Sequence, residues 1–150
     1  MSDNTLMKKF EEEVWSKVPH REEKDGKVQI VNATPLIDLT NDLKECAKTV
    51  YDVDISNKDF KIYGKFDCTL LTGSIKVRPA VNIIHDAITT GKINSGTTVI
   101  EATSGNFGIA LGLLSKIGVT AIALVSRKLQ EGVFKELRNG NIRIMDLDMD

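Results

Sequence analysis

The chain has 150 residues, 41% of them hydrophobic and 27% charged, enough for one soluble domain with its own core. A formal net charge of -1, with both signs interspersed, leaves no basic stripe for nucleic acid and no charge run suited to an anionic membrane. Cys46 and Cys68 are too far apart for a Cys-x-x-Cys metal or redox site, no stretch is long enough to span a bilayer, and the charged N-terminus lacks an apolar signal core, so a reduced, cytoplasmic protein without a metal is expected.

In chain order, Leu6, Phe10, Val14 and Val18 recur every four residues between charged ones, which predicts an amphipathic helix over residues 5–18. This helix docks either on its own domain or on a partner. Residues 19–27 read as a polar connector, and His20 within it as a solvated surface histidine. Residues 28–30 suit a short strand, and Asn32-Ala33-Thr34-Pro35-Leu36 an extended turn, because the residue before a proline avoids the helical region. Residues 41–51 read as a helix capped by Thr40 or Asn41, and residues 52–59 as an acidic loop without calcium-loop spacing. From residue 60 the pattern alternates regularly: strand 60–66, loop 67–74, helix 77–90 closed by Gly91, strand 97–102, a tight loop 103–106, and helix 107–117 ended by Gly118. Strand 119–125, helix 130–138 and strand 142–147 follow. Strands alternating with helices imply right-handed crossovers, hence an α/β fold with a mainly parallel sheet.

Two loops carry candidate chemistry. Pro79 lacks an N–H and is tolerated only near a helix start, so Lys76 lies at the mouth of its helix. The unpaired N–H groups there carry partial positive charge, which disfavours a second cation and favours the neutral, nucleophilic amine. The other loop, Thr103-Ser104-Gly105-Asn106, places two hydroxyls, a permissive glycine and an amide before a helix, a ready site for a carboxylate or phosphate. Ligands of open parallel sheets bind beyond the carboxyl ends of the strands, so both loops should line one crevice. Competing motifs fail. Gly91-Lys92-Ile93 is not a phosphate-binding P-loop, the glycines at 105, 108 and 112 do not spell G-x-G-x-x-G, and neither His85 nor Cys68 has a recognisable triad partner.

Three motifs, Asn32-Ala33-Thr34-Pro35-Leu36, Thr72-Gly73-Ser74-Ile75-Lys76 followed by Arg78-Pro79-Ala80, and Glu101-Ala102-Thr103-Ser104-Gly105-Asn106 followed by Gly108-Ile109-Ala110, occur in this order. With them, the chain resembles the cysteine synthase and cystathionine β-synthase family of pyridoxal-phosphate enzymes, fold type II, over roughly residues 30–150. The resemblance implies a three-layer αβα sandwich of which this is the N-terminal half. Residues 1–38 would form a helix and extended segment docking on the large domain or a partner, and residues 39–150 the small α/β domain. It further implies that Lys76 binds pyridoxal 5'-phosphate covalently and moves the substrate α-proton. Asn106 would bond the cofactor's 3-hydroxyl oxygen, and Thr103, Ser104 and Gly105 would grip the amino acid's α-carboxylate.

The implied reaction is β-replacement or β-elimination on L-cysteine or an activated L-serine through α-aminoacrylate, forming or using sulfide, in a homodimer. The alternative is a non-catalytic paralogue that binds a partner through Leu6, Phe10 and Val14. Departures from the family pattern are Leu70 and Leu71 for Asn-Pro, Val77 after the lysine, a longer segment 39–61, and Phe107 for a threonine, which places a ring beside the substrate. The Cys-Pro pattern of haem-binding relatives is missing, so no haem is expected. The family's phosphate-binding Gly/Thr-rich loop and its partner for the pyridine nitrogen are not among these residues. The chain is therefore expected to stop near residues 145–150, where the family passes into its larger domain, with the rest coming from a continuing or separate chain.

Overall fold

The computed structural model describes residues 3–147; the expected passage into a larger domain at 145–150 lies partly outside them. Helix α1 (Asp3–Glu13) leads into a 3-10 turn, Trp15–Lys17. Leu6, Phe10, Val14 and Val18 are each 1% exposed or less, because the stripe packs on α3 (Val77–Thr89) and on the 3-10 helix Gly112–Ile117 of the same chain. The expected polar connector is instead half of an antiparallel hairpin, β1 (His20–Lys24) with β2 (Lys27–Val31). Asp25 and Gly26 make its two-residue turn at φ 54° and 71°, the left-handed pair such a turn requires.

Beyond Pro35, β3 (Leu36–Asp38) pairs antiparallel with β4 (Tyr63–Lys65). The expected strand 60–66 is thus reduced to its last residues, and it lies beside β3 outside the parallel sheet. Between them runs α2 (Thr40–Tyr51), ended by Asp52 in the left-handed conformation. Neither Thr40 nor Asn41 caps it. Asp38 Oδ1 accepts the Thr40 N–H at 2.9 Å, and the Thr40 hydroxyl oxygen instead accepts the Ile62 N–H at 3.0 Å, tying α2 to the segment before β4.

The remaining strands, β5 (Thr98–Ala102), β6 (Thr120–Ser126) and β7 (Arg143–Leu147), form a parallel sheet in that order, joined through α4 (Asn106–Leu111) and α5 (Glu131–Asn139). This is an α/β fold. Ala121, Ala123 and Val125 of β6 are buried beneath the helices, while on the other face Ile100 and Met145 stay more than half exposed. The expected helix 107–117 is α-helical to Leu111 and 3-10 from Gly112, where a Cβ would lie 2.9 Å from the Gly140 carbonyl oxygen. Glycine there lets the chain pass against the end of α5.

Candidate active site

After β4 the chain makes a 3-10 turn, Asp67–Thr69, and buries Leu70. Gly73 then donates its N–H to the Leu70 carbonyl at 2.7 Å with φ at 66°, a left-handed position that glycine takes without strain. Ser74 closes the turn with both of its oxygens. Its hydroxyl accepts the Lys76 N–H at 3.1 Å and its carbonyl accepts the Val77 N–H at 3.2 Å. Helix α3 starts at Val77, leaving Lys76 at the N-cap position with an exposed side chain. Val77, Ala80, Val81, Ile84 and Ile88 bury one face of α3 in the core, so the lysine stands at the mouth of a fixed helix.

The second loop leaves β5 and is built around Thr103. Its Oγ1 accepts the N–H groups of Gly105 at 3.3 Å and Gly108 at 3.1 Å, so the hydroxyl oxygen serves the start of α4 while its proton remains to donate. Both glycines are required by contact. A Cβ on Gly108 would lie 2.6 Å from Thr103 Cγ2, and one on Gly105, at φ 136°, would lie 2.7 Å from Val133 Cγ1. Asn106 follows, exposed, as the first residue of α4, and Phe107 packs half-buried against the main core.

The two loops meet at Asn106. A cleft of about 460 Å³ is lined by Gly73, Ser74 and Ile75 from the lysine loop and by Asn106 from the other, with residues 65–68 completing it. Thr103 and Ser104 line a neighbouring hollow of about 380 Å³ with Ala102 and the end of β6, at the carboxyl edge of the sheet. A cavity as large as the first opens between Trp15, His20, Arg21 and Arg78, but it holds neither a lysine amine nor a thiol. Among the described residues no group of three or more His, Cys, Asp or Glu is arranged to hold a metal ion, and no helix is long and apolar enough to cross a membrane.

Sequence reasoning missed Asp67. Its Oδ1 accepts hydrogen bonds from the Arg78 guanidinium at 2.8 Å and from the Thr34 hydroxyl at 2.6 Å, while Arg78 also reaches the Thr34 hydroxyl oxygen at 3.3 Å. Lys65 donates to the Thr34 carbonyl. These bonds join the 32–36 motif to the helix bearing Lys76. The guanidinium and the Thr34 hydroxyl hold the Asp67 carboxyl below the usual carboxylate range, partly opposed by burial. Arg78, a motif residue needing a counter-ion, was the signal that could have found it.

The family model described as "Pyridoxal-phosphate dependent enzyme" matches residues 30–147. The chain belongs to this family. It is 36% identical over 96 residues, 64% of its length, to a cysteine synthase of Aquifex aeolicus, covering 27% of that protein. It is also 33% identical over 112 residues, 74% of its length, to an N-(2-amino-2-carboxyethyl)-L-glutamate synthase of Ralstonia nicotianae, covering 30% of it. Among solved structures, an O-acetylserine dependent cystathionine beta-synthase from Helicobacter pylori superposes with a TM-score of 0.62 at 30% identity, covering 76% of this chain and 34% of that one. The chain thus spans about a third or less of each of these relatives.

The residues present fit the family's cofactor. Lys76, at its helix mouth, directly follows the lining residue Ile75 without itself lining the cleft; a primary amine there and the Asn106 carboxamide in the cleft suit an aldehyde beside a ring oxygen, and the cleft volume falls within the range of small-ligand sites. The buried Thr72 hydroxyl, in the lysine loop, has no hydrogen-bond partner among the described residues, an orphan that a polar ligand group or a water would satisfy.

Proposed function

We propose that this chain is the lysine-bearing part of a pyridoxal-phosphate enzyme carrying out β-replacement or β-elimination on L-cysteine or an activated L-serine. The observation that carries the reading is the shared cleft, where Asn106 faces the residues that lead into Lys76, in a chain of this family. Its similarity to a cysteine synthase and to an O-acetylserine dependent cystathionine beta-synthase supports the substrate class. Pyridoxal phosphate, when bound, supplies an electron sink for negative charge at the amino acid's α-carbon. The Lys76 amine would hold the cofactor and, once the substrate's own amine has displaced it, would be free to take up and return the α-proton. The Asn106 amide donates to the ring oxygen. The Thr103 hydroxyl proton, with Ser104 and Gly105, holds the substrate carboxylate.

In this reading residues 39–150 form the small domain, residues 1–38 its N-terminal extension, and residues outside this chain grip the cofactor phosphate and ring nitrogen. The assembly is a cytoplasmic homodimer, with both cysteines free. The alternative, partner binding through Leu6, Phe10 and Val14, is not favoured, since all three are buried within the chain.

The full chain with pyridoxal phosphate is expected to show a borohydride-reducible visible absorbance that Lys76→Ala abolishes, with turnover of cysteine, O-acetylserine or O-phosphoserine lowered at least about a hundredfold. An unchanged spectrum in the variant would refute the assignment.

A further inference from the structure

The Lys76 side chain is exposed, yet the backbone on either side of it is tied down. On its N-terminal side the Ser74 hydroxyl holds the Lys76 N–H. Two residues beyond it, Arg78 reaches out of the first turn of α3 to a carboxylate on a different element, the 3-10 turn after β4. Asp67 is the point where three segments join: the 32–36 motif through Thr34, the lysine helix through Arg78, and the cleft wall, which Asp67 itself lines with Asn106 and Ser74. The side chains of Arg78 and Asp67 are 30% and 21% exposed, and Thr34 is buried, so the bonds are partly shielded from water. Charge-assisted bonds of this length are about twice as strong as neutral ones. The buried apolar face of α3, Val77, Ala80 and Val81 of its first turn included, fixes the helix against the core, and at its polar side Arg78 ties that same turn to a separate segment.

We infer that Asp67 is the positioning residue for Lys76, holding the first turn of α3 through Arg78 and Thr34 so that the lysine amine is aimed into the cleft shared with Asn106. The inference rests on the reading of Lys76 as the cofactor-binding lysine. Asp67 does not itself act on substrate. Its carboxylate sets where the amine stands, and a misplacement of about 1 Å is enough to slow a reaction about a hundredfold.

The test measures capture of Lys76 itself. The full chain is exposed briefly to pyridoxal 5'-phosphate, reduced with borohydride and mapped by peptide mass, with exposed Lys116 on the 3-10 helix as internal reference. In the unmodified protein Lys76 should be trapped much faster than Lys116. Asp67→Asn keeps the side-chain shape but removes the charge, and is expected to lower the Lys76 to Lys116 ratio about tenfold or more. Thr34→Val removes one of the two bonds to Asp67 Oδ1, and should lower the ratio about threefold, in keeping with one net hydrogen bond. Loss of the fold would also bring the ratio toward one, so trapping is compared only among variants whose circular dichroism and urea midpoint show them folded under the labelling conditions, and the Thr34 variant decides the matter if the Asp67 variant does not fold. A ratio unchanged in the variants, with Lys76 still preferred, would overturn the positioning role alone. If Lys76 is trapped no faster than Lys116 in the unmodified protein, the reading of Lys76 falls and this inference with it.

Discussion

Because Thr103 Oγ1 accepts two backbone N–H groups while its own proton is left to donate, one hydroxyl joins the start of α4 to the place where a substrate carboxylate would sit. The two functions respond differently to substitution. Thr103→Val is nearly isosteric but removes the acceptor from both N–H groups, and should cost about 0.5–2 kcal/mol, the range found for loss of a helix cap. Thr103→Ser keeps the oxygen and gives up only the methyl that packs on Gly108, so its loss should be smaller. Urea denaturation of the two variants checks this. A valine variant as stable as the parent would mean that the 3.1 Å bond to Gly108 contributes nothing net.

Among the elements, α1 gives the firmest expectation, since its stripe is buried completely and lies on α3, the helix that presents Lys76. Phe10→Ala removes a ring that is 0% exposed and should cost about 3–5 kcal/mol, read as a lower thermal midpoint; a change below about 1 kcal/mol would show that α1 is not part of the cooperative unit. That stripe was legible in the sequence because a period of four with charged residues between is what one-sided burial imposes. The bounds of α3 were legible for a similar reason, Pro79 near its start and Gly91 just past its end. The hairpin was not, since nearly all residues of β1 and β2 are exposed and no burial pattern marks them. Its second strand was read over 28–30 and is found as β2, but the first strand was taken for a connector, and only Asp25-Gly26 signalled the pairing. Likewise Asp67 lies in a loop of unremarkable composition, and nothing local says that its partners stand 11 and 33 positions away. Local periodicity reports which face is buried; it does not report which loops a tertiary contact will join.

At the scale of the whole molecule, three carboxyls among the described residues are held below their ordinary range: Asp38 by Thr40, with Lys61 assisting, Asp54 by Ser56, and Asp67 by Arg78 and then Thr34. Each binds a proton less readily when folded, so unfolding in acid takes up protons. Their contribution is fully present above the unfolded aspartate value of about 3.9 and is lost as the pH falls through the lower folded values. Urea midpoints should therefore change little on account of these groups between pH 6 and 8 and fall steadily below about pH 4. Asp38 and Asp54 each accept an N–H two residues on, and Asp38 meets the distant Lys61 only at 3.5 Å, whereas Asp67 accepts both of its short bonds from segments distant in sequence. Asp67→Asn should accordingly flatten the acid limb as well as lower the neutral-pH midpoint, because the asparagine has no proton to take up. Parallel acid limbs for the parent and Asp67→Asn, displaced by a constant amount, would show that the Arg78 bond is no stronger to the folded carboxylate than to its protonated form.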